Sequence, residues 1–271
     1  MKTALNGATT MNASLETDIR AAREAGFDYL EIWAAKLRDY LASHSTTDLK
    51  NLFIENGLEP YSINSIEHIT FRDAQGYTSI KNQGQELCRI AQEINCPYLV
   101  VVPGLLPAGA THDQITQESA RVLNELADIA EPHQVKLAFE FLGQPTCSVQ
   151  TLELAQEIVE KVNRPSVGLV IDSFHFYAGG SQIEAIDSLN PDHLFIFHIN
   201  DAEDLPREEL EDRHRLLPGL GILPLKEMLA AFRRINYDRV VSVEIFRPEY
   251  WQRDPIELAK AARQAIAKVV N

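Results

Sequence analysis

Four side chains of the types that ligate metal ions close four short, largely apolar runs in the second half of the chain. Glu140 follows Leu137-Ala138-Phe139, Asp172 follows Leu169-Val170-Ile171, His198 follows Phe195-Ile196-Phe197 and Glu244 follows Val241-Ser242-Val243. Taken singly, a carboxylate after a strand reads as a loop or helix cap, and a buried histidine as a hydrogen-bonded core residue. Four such residues in succession read differently. Strand ends that carry polar side chains toward one mouth are how a parallel barrel builds an active site. Three carboxylates and one imidazole make a hard-to-borderline donor set suited to Mn²⁺, Zn²⁺, Co²⁺ or Mg²⁺. The expected cofactor is therefore one divalent ion held by Glu140, Asp172, His198 and Glu244.

Other chemistry-bearing residues cluster near these strand ends. His175 lies three residues after Asp172, in reach of a metal or of a substrate oxygen. Arg215 precedes the Leu216-Leu217-Pro218-Gly219 turn and could anchor a carbonyl, hydroxyl or phosphate oxygen. Glu31, Trp33, Glu67 and His68 fall at the ends of two earlier apolar runs, where Trp33 offers a wall for a ring and Glu67-His68 could complete a pocket opposite the metal. Arg247, Tyr250 and Trp251 are candidates for the rim. The Gly219-x-Gly221 pair lacks the third glycine and the preceding strand of a dinucleotide fingerprint, and no phosphate-binding loop or nucleophile elbow occurs. No nucleotide cofactor is expected.

The elements that must position these residues are legible as alternating patterns. Strand-type runs fall at 3–6, 29–33, 60–66, 98–102, 136–140, 167–172, 194–198 and 240–244. Helical stretches are predicted near 14–25, 46–56, 79–94, 114–132, 149–162, 182–188, 224–235 and 255–269. In the fourth of these, Ile115, Val122, Leu123, Leu126 and Ile129 keep helical spacing. Strict alternation implies a parallel sheet with helical crossovers. The count predicts a single (β/α)₈ TIM barrel over residues 1–271; a doubly wound open sheet is the alternative. Gly26 and Gly57 stand where left-handed helix ends are expected, and Pro97 and Pro165 punctuate the same kind of connection. The irregular segments 65–79, 103–113 and 199–223 all follow strands and so belong to the active-site face.

Composition narrows the function classes. A net charge of −14 opposes an extended phosphate-binding surface, since nucleic-acid affinity comes largely from Lys and Arg. No apolar run approaches the ~20 residues needed to span a bilayer, and Met1-Lys2-Thr3-Ala4-Leu5 leads into the fold without a signal-type core. Cys88, Cys96 and Cys147 have no metal-type spacing, which indicates a reducing, cytoplasmic setting. The expected partner is a small molecule, with no nucleic acid and no membrane, in a monomer or a homo-oligomer.

The blocks Asn6-Gly7-Ala8-Thr9-Thr10, Asp128-Ile129-Ala130-Glu131-Pro132, Val167 through Phe176 and Val241 through Tyr250 resemble the sugar isomerase/epimerase superfamily of xylose isomerase-like barrels. Within it the likeness is to the inosose (2-keto-myo-inositol) isomerases of inositol breakdown and runs nearly end to end. The resemblance implies that Glu140, Asp172, His198 and Glu244 are the family's metal ligands and that His175 and Arg215 contact substrate. It implies isomerisation or epimerisation of a ketose or inosose through an enediolate, with Glu140 and Glu244 moving the proton. Inosose dehydration begins with the same proton abstraction, and apurinic-site cleavage uses the same barrel with more histidines; both are alternatives. Two departures lie where substrate choice is made. Gly7 stands where the family pattern has a carboxylate, and Asn64 through Phe71 is more polar than expected.

Overall fold

Each of the eight apolar runs pairs with its sequence neighbours, and the last pairs with the first, so the sheet has no free edge. The computed structural model describes residues 1–270. Its barrel strands are β1 (Lys2–Asn6), β2 (Tyr29–Trp33), β3 (Glu59–Ile66), β4 (Tyr98–Val101), β5 (Lys136–Glu140), β6 (Val167–Asp172), β7 (Leu194–Ile199) and β8 (Val240–Val243). All eight pairings are parallel. The expected TIM barrel is the fold, and the open-sheet alternative is excluded by closure of β8 on β1.

Register explains why the four candidate ligands meet. Residues opposed across a parallel pair face the same side of the sheet, and so do residues two apart on one strand. Glu140 opposes Val170, Asp172 opposes His198, and His198 opposes Ser242. Val170 and Asp172 share a face, as do Ser242 and Glu244. One choice of inward face on each strand therefore sends the whole quartet into the barrel. The opposite end of the interior is filled by rings: Tyr29, Tyr61, Tyr98 and Phe195 follow one another with centroids 5.0 Å apart. Apolar packing closes the bottom and polar chemistry occupies the top.

The surrounding helices are α1 (Leu15–Ala25), α2 (Ala34–Leu41), α3 (Thr46–Asn56), α4 (Ala74–Ile94), α5 (His112–Ala130), α6 (Leu152–Val162), α7 (Ser173–Gly179), α8 (Ile183–Asp187), α9 (Leu225–Arg234) and α10 (Pro255–Val270). In α5, Ile115, Val122, Leu123 and Leu126 are buried as their spacing requires, with Ile129 at the margin. Gly26 and Gly57 end α1 and α3 at φ 79° and 58°, in the left-handed region that glycine favours.

Several boundaries differ from expectation. Helix α2 follows Trp33 directly, with no side-chain cap to announce it. Helix α7 is short and aromatic-rich, with low intrinsic propensity; it forms because Asp172 Oδ1 accepts from His175 N at 2.9 Å and caps it. Helix α4 begins at Ala74 rather than 79, capped by Asp73, and Gly76 in its first turn masks the pattern. Glu244 lies one residue beyond β8. Within 199–223 a short antiparallel ribbon pairs Asp201–Ala202 with Arg215–Leu216.

A buried ion pair ties the first helices to the mouth. Lys36 Nζ donates to Asp18 Oδ2 (2.7 Å), Thr10 O (2.8 Å) and Gly7 O (2.9 Å), while Thr10 Oγ1 donates to Asp18 Oδ1 (2.7 Å). A Cβ on residue 7 would come within 3.1 Å of Asp18 Oδ2 and of Trp33 Cβ, so glycine is what admits this arrangement. Burial pushes the Asp18 carboxyl up to about 7 against the opposing pull of Lys36 and Thr10. Replacing Lys36 with Met is predicted to destabilise the fold by about 3–5 kcal/mol above pH 8, because one buried charge loses its partner. A carboxyl whose folded pKa is raised loses stability as pH rises, so the deficit should shrink toward pH 4. Thermal denaturation across this range tests it; a deficit independent of pH would assign the loss to packing.

Candidate metal centre

Glu140, Asp172, His198 and Glu244 each offer a ligand atom within 4.8 Å of the other three, and all four residues are buried. His198 Nδ1 faces into the group, 2.9 Å from Glu140 Oε1 and 3.4 Å from Glu244 Oε2. Its Nε2 faces away, toward Glu31 Oε1 at 2.9 Å. The donor chemistry fits a divalent cation: one inward imidazole nitrogen, three carboxylates, and a second carboxylate contact on the far side of the ring. Among the described residues this is the one cluster of this kind.

Burying three carboxylates together demands positive counter-charge, and Arg215 supplies it. It is fully buried, with Nη1 donating to Asp172 Oδ2 at 2.8 Å and Glu244 Oε2 at 3.2 Å. The guanidinium packs against the Phe174 and Phe246 rings, 4.9 and 5.0 Å from their centroids. Asp212 Oδ1 accepts from Arg215 Nε (3.1 Å) and Nη2 (2.9 Å), and its Oδ2 accepts from Gln144 Nε2 (2.7 Å). Burial would raise the Asp212 carboxyl, but Arg215 holds it below the usual range.

Arg215 also sets the state of His175. Arg215 Nη2 lies 2.9 Å from His175 Nε2. A guanidinium can only donate, so Nε2 is the acceptor and the ring proton sits on Nδ1. Burial, then the nearby Arg215 charge, keep the imidazole neutral by lowering its pKa. His175 Nδ1 is buried without a hydrogen-bond partner among the described residues. An unsatisfied buried donor beside a cavity is a ready contact for a substrate oxygen.

The remaining ligands are held individually. Glu244 Oε1 accepts from both Asn6 Nδ2 and Asn64 Nδ2, each at 2.9 Å. Asp172 Oδ2 accepts from Asn200 Nδ2 at 2.8 Å. Glu140 is less tied: His198 approaches Oε1, and Oε2 accepts no hydrogen bond from the described residues. Burial is the main reason its carboxyl rises to about 7, with His198 opposing and Glu244 adding to the rise. Burial would depress His198, but Glu244, Glu31 and Glu140 together raise it well above the ordinary histidine range.

A cavity of about 350 Å³ opens above the quartet, in the size range of small-molecule sites. Its lining includes Glu140, Glu244, His175 and Arg215 together with Trp33, Asn64, Ser65, Glu67, His68 and Phe246. Wider depressions of about 450 and 590 Å³ elsewhere contain no member of the quartet, so size alone does not mark the site. Trp33, Glu67 and His68 thus lie where expected, with His68 in a left-handed conformation at φ 54°. Glu31 does not face the cavity; it is buried behind His198. Arg247, Tyr250 and Trp251 do not line it either. Arg247 pairs with Glu203 at 2.7 Å, and Trp251 Nε1 donates to Ala8 O at 3.0 Å. Their nearness to Glu244 in sequence is lost because the chain turns away after Phe246. Sequence reasoning missed Asn6, Asn64, Gln144, Asn200, Asp212 and Phe246. Asn6 and Asn64 had the signal of lying at or near strand ends; Gln144 and Asp212 lie in loops and had none.

A family model described as Xylose isomerase-like TIM barrel matches residues 19–269. Inosose isomerase of Bacillus velezensis is 40% identical over 273 aligned residues, covering 100% of this chain and 98% of that protein. Inosose isomerase of Halalkalibacterium halodurans is 38% identical, covering 100% and 97%. A crystal structure of the IOLI protein with a bound zinc atom superposes with a TM-score of 0.97 at 39% identity, covering 100% of this chain and 98% of that one.

Because Glu140 and His198 are both shifted toward their protonated forms, a cation entering the quartet must displace protons. Binding of Zn²⁺ at pH 6.5 is predicted to release protons, and affinity is predicted to rise with pH through about 7. Calorimetry in two weakly coordinating buffers of different ionisation enthalpy measures this. Identical heats in both would contradict the assigned protonation states.

Proposed function

Because this chain belongs to the xylose isomerase-like TIM barrel family, we propose that it is a divalent-metal-dependent isomerase of an inosose. It would move a carbonyl between neighbouring carbons of a polyol ring. The observation that carries this reading is the buried quartet, of which Glu140 and Glu244 line a cavity of small-molecule size beside His175 and Arg215. The full-length likeness to inosose isomerases supports the substrate class. Three buried free thiols support a reducing, cytoplasmic setting.

Glu140, Asp172, His198 and Glu244 would hold one divalent ion, with Zn²⁺, Mn²⁺, Co²⁺ and Mg²⁺ all compatible with the donors. When bound, such an ion supplies Lewis-acid polarisation of a carbonyl oxygen. The protein's own groups account for the rest. A glutamate carboxylate takes the proton from the hydroxyl-bearing carbon next to the carbonyl, and a proton returns to the former carbonyl carbon. The hydroxyl proton passes to the former carbonyl oxygen, so no oxidant or reductant is consumed. Glu140, with a free oxygen toward the cavity, suits the first transfer, and Glu244 is its partner. His175 Nδ1–H and Arg215 would hold substrate oxygens, while Trp33 and His68 would wall the opposite face. Two bases on opposite faces would also permit epimerisation.

Replacing Glu140 or Glu244 with Gln is predicted to lower turnover by about 10²–10⁴-fold at saturating metal, as expected for a lost acid–base group. Chelation should abolish activity and added Zn²⁺, Mn²⁺ or Co²⁺ should restore it. Inososes and free ketoses incubated in D₂O, then examined by NMR, read both product identity and deuterium uptake. Turnover retained in a glutamate variant would remove that residue from the mechanism. Loss of water from the product would instead make the enzyme a dehydratase, and nicking of abasic DNA would favour the endonuclease reading that the acidic charge opposes.

A further inference from the structure

Glu31 is a carboxylate that the proposed chemistry leaves unused. It sits on β2, which contributes no ligand, and it is completely buried away from the substrate cavity. Isolating a carboxylate from water is costly unless it is paired and hydrogen-bonded. Neither Lys nor Arg pairs with it among the described residues; its one cationic or potentially cationic partner is His198, at 2.9 Å. It also accepts from Ser62 Oγ at Oε2 (2.6 Å) and from Asn6 Nδ2 at Oε1 (3.3 Å). These three residues come from neighbouring strands at one level, since Asn6 opposes Glu31 and Glu31 opposes Ser62.

The two ring nitrogens of His198 have opposite surroundings. Nδ1 faces the quartet, and Nε2 faces Glu31. A neutral imidazole carries its proton on one nitrogen only, and an ionised carboxylate can only accept. A carboxylate at Nε2 therefore keeps the proton there and leaves the Nδ1 lone pair directed inward. We propose that Glu31 is the positioning residue of the metal centre: it selects the Nε2–H tautomer of His198 and presents Nδ1 as the ligand, with Ser62 and Asn6 fixing the carboxylate in turn. The half of the barrel that supplies no ligand thus orients the half that does. This inference rests on the reading of the quartet as a metal site.

Glu31→Gln tests it, because Gln keeps the shape but removes the obligate acceptor. Its amide can turn and donate to Nε2, which favours the Nδ1–H tautomer that cannot bind metal. Zn²⁺ affinity, measured by competition with a chromogenic chelator at fixed pH, is expected to fall about 10- to 100-fold in this variant. Ser62→Ala, which leaves the carboxylate in place, should fall less in the same direction. In zinc-loaded wild-type protein labelled with ¹⁵N-histidine, NMR should find His198 protonated on Nε2 with Nδ1 shifted by the metal. Circular dichroism of each metal-free variant establishes that it is folded. Glu31→Gln affinity within about twofold of wild type, well short of the usual effect of losing such a partner, would overturn the proposal. So would a proton on Nδ1 of zinc-loaded His198. If wild-type protein binds zinc but His198→Ala binds it equally well, the metal-site reading itself fails, and this inference with it. If His198→Ala loses zinc while Glu31→Gln does not, only the role of Glu31 fails.

Discussion

Three carboxylates packed around one imidazole, almost wholly shielded from water, are the constraint that the top of this barrel is built to satisfy. Like charges this close repel strongly at low effective dielectric, and no apolar core tolerates them unaided. Arg215 answers that problem from a loop. It reaches Asp172 and Glu244 at once, and it stays in place because Asp212 holds its other edge and two phenyl rings pack within about 5 Å of the guanidinium. Fixing Arg215 in turn fixes His175, whose free Nδ1 proton is a consequence of where the guanidinium points. The electrostatic demand of the quartet therefore shapes the cavity wall beside it.

The rest of the molecule divides labour by height. At the bottom, tilted aromatic rings in succession close the barrel by packing. At the top, polar side chains face inward and the quartet has named partners: Asn6 and Asn64 on Glu244, Asn200 on Asp172, Glu31 on His198. Such partners lock ligand geometry, which is what separates a preorganised site from a loose collection of acids. Glu140 is the least restrained of the four. That freedom agrees with a carboxylate that moves a proton as well as contributing a ligand atom.

How much of this was legible depends on the range of the physics involved. The strands were readable because burial on both faces leaves continuous apolar runs. The candidate ligands were readable because an ionisable residue at the end of such a run is out of pattern. Helix α2 was hidden because it begins straight from a strand without a cap, and α7 because its aromatic residues are poor helix formers that Asp172 organises. The Gln144–Asp212–Arg215 chain joins two separate loops, and no local period encodes that. Tyr250 and Trp251 were misjudged for the converse reason: closeness to Glu244 along the chain says nothing about direction once the strand has ended.

By itself the sequence determined the alternation of strands and helices, the parallel sheet with helical crossovers that this alternation implies, and the four candidate ligand side chains at strand ends, because all three follow from periodicity and residue type; closure of the sheet was decided by the structure. Only the tertiary structure decided which nitrogen of His198 faces inward, that Arg215 is a buried counter-charge rather than a surface group, and which residues of β1, β2 and β3 hold the ligands from behind. Those facts depend on strand register and on hydrogen bonds between residues as much as 238 positions apart. Chemistry is carried by side-chain type, which is local; orientation is carried by partners that only folding brings together.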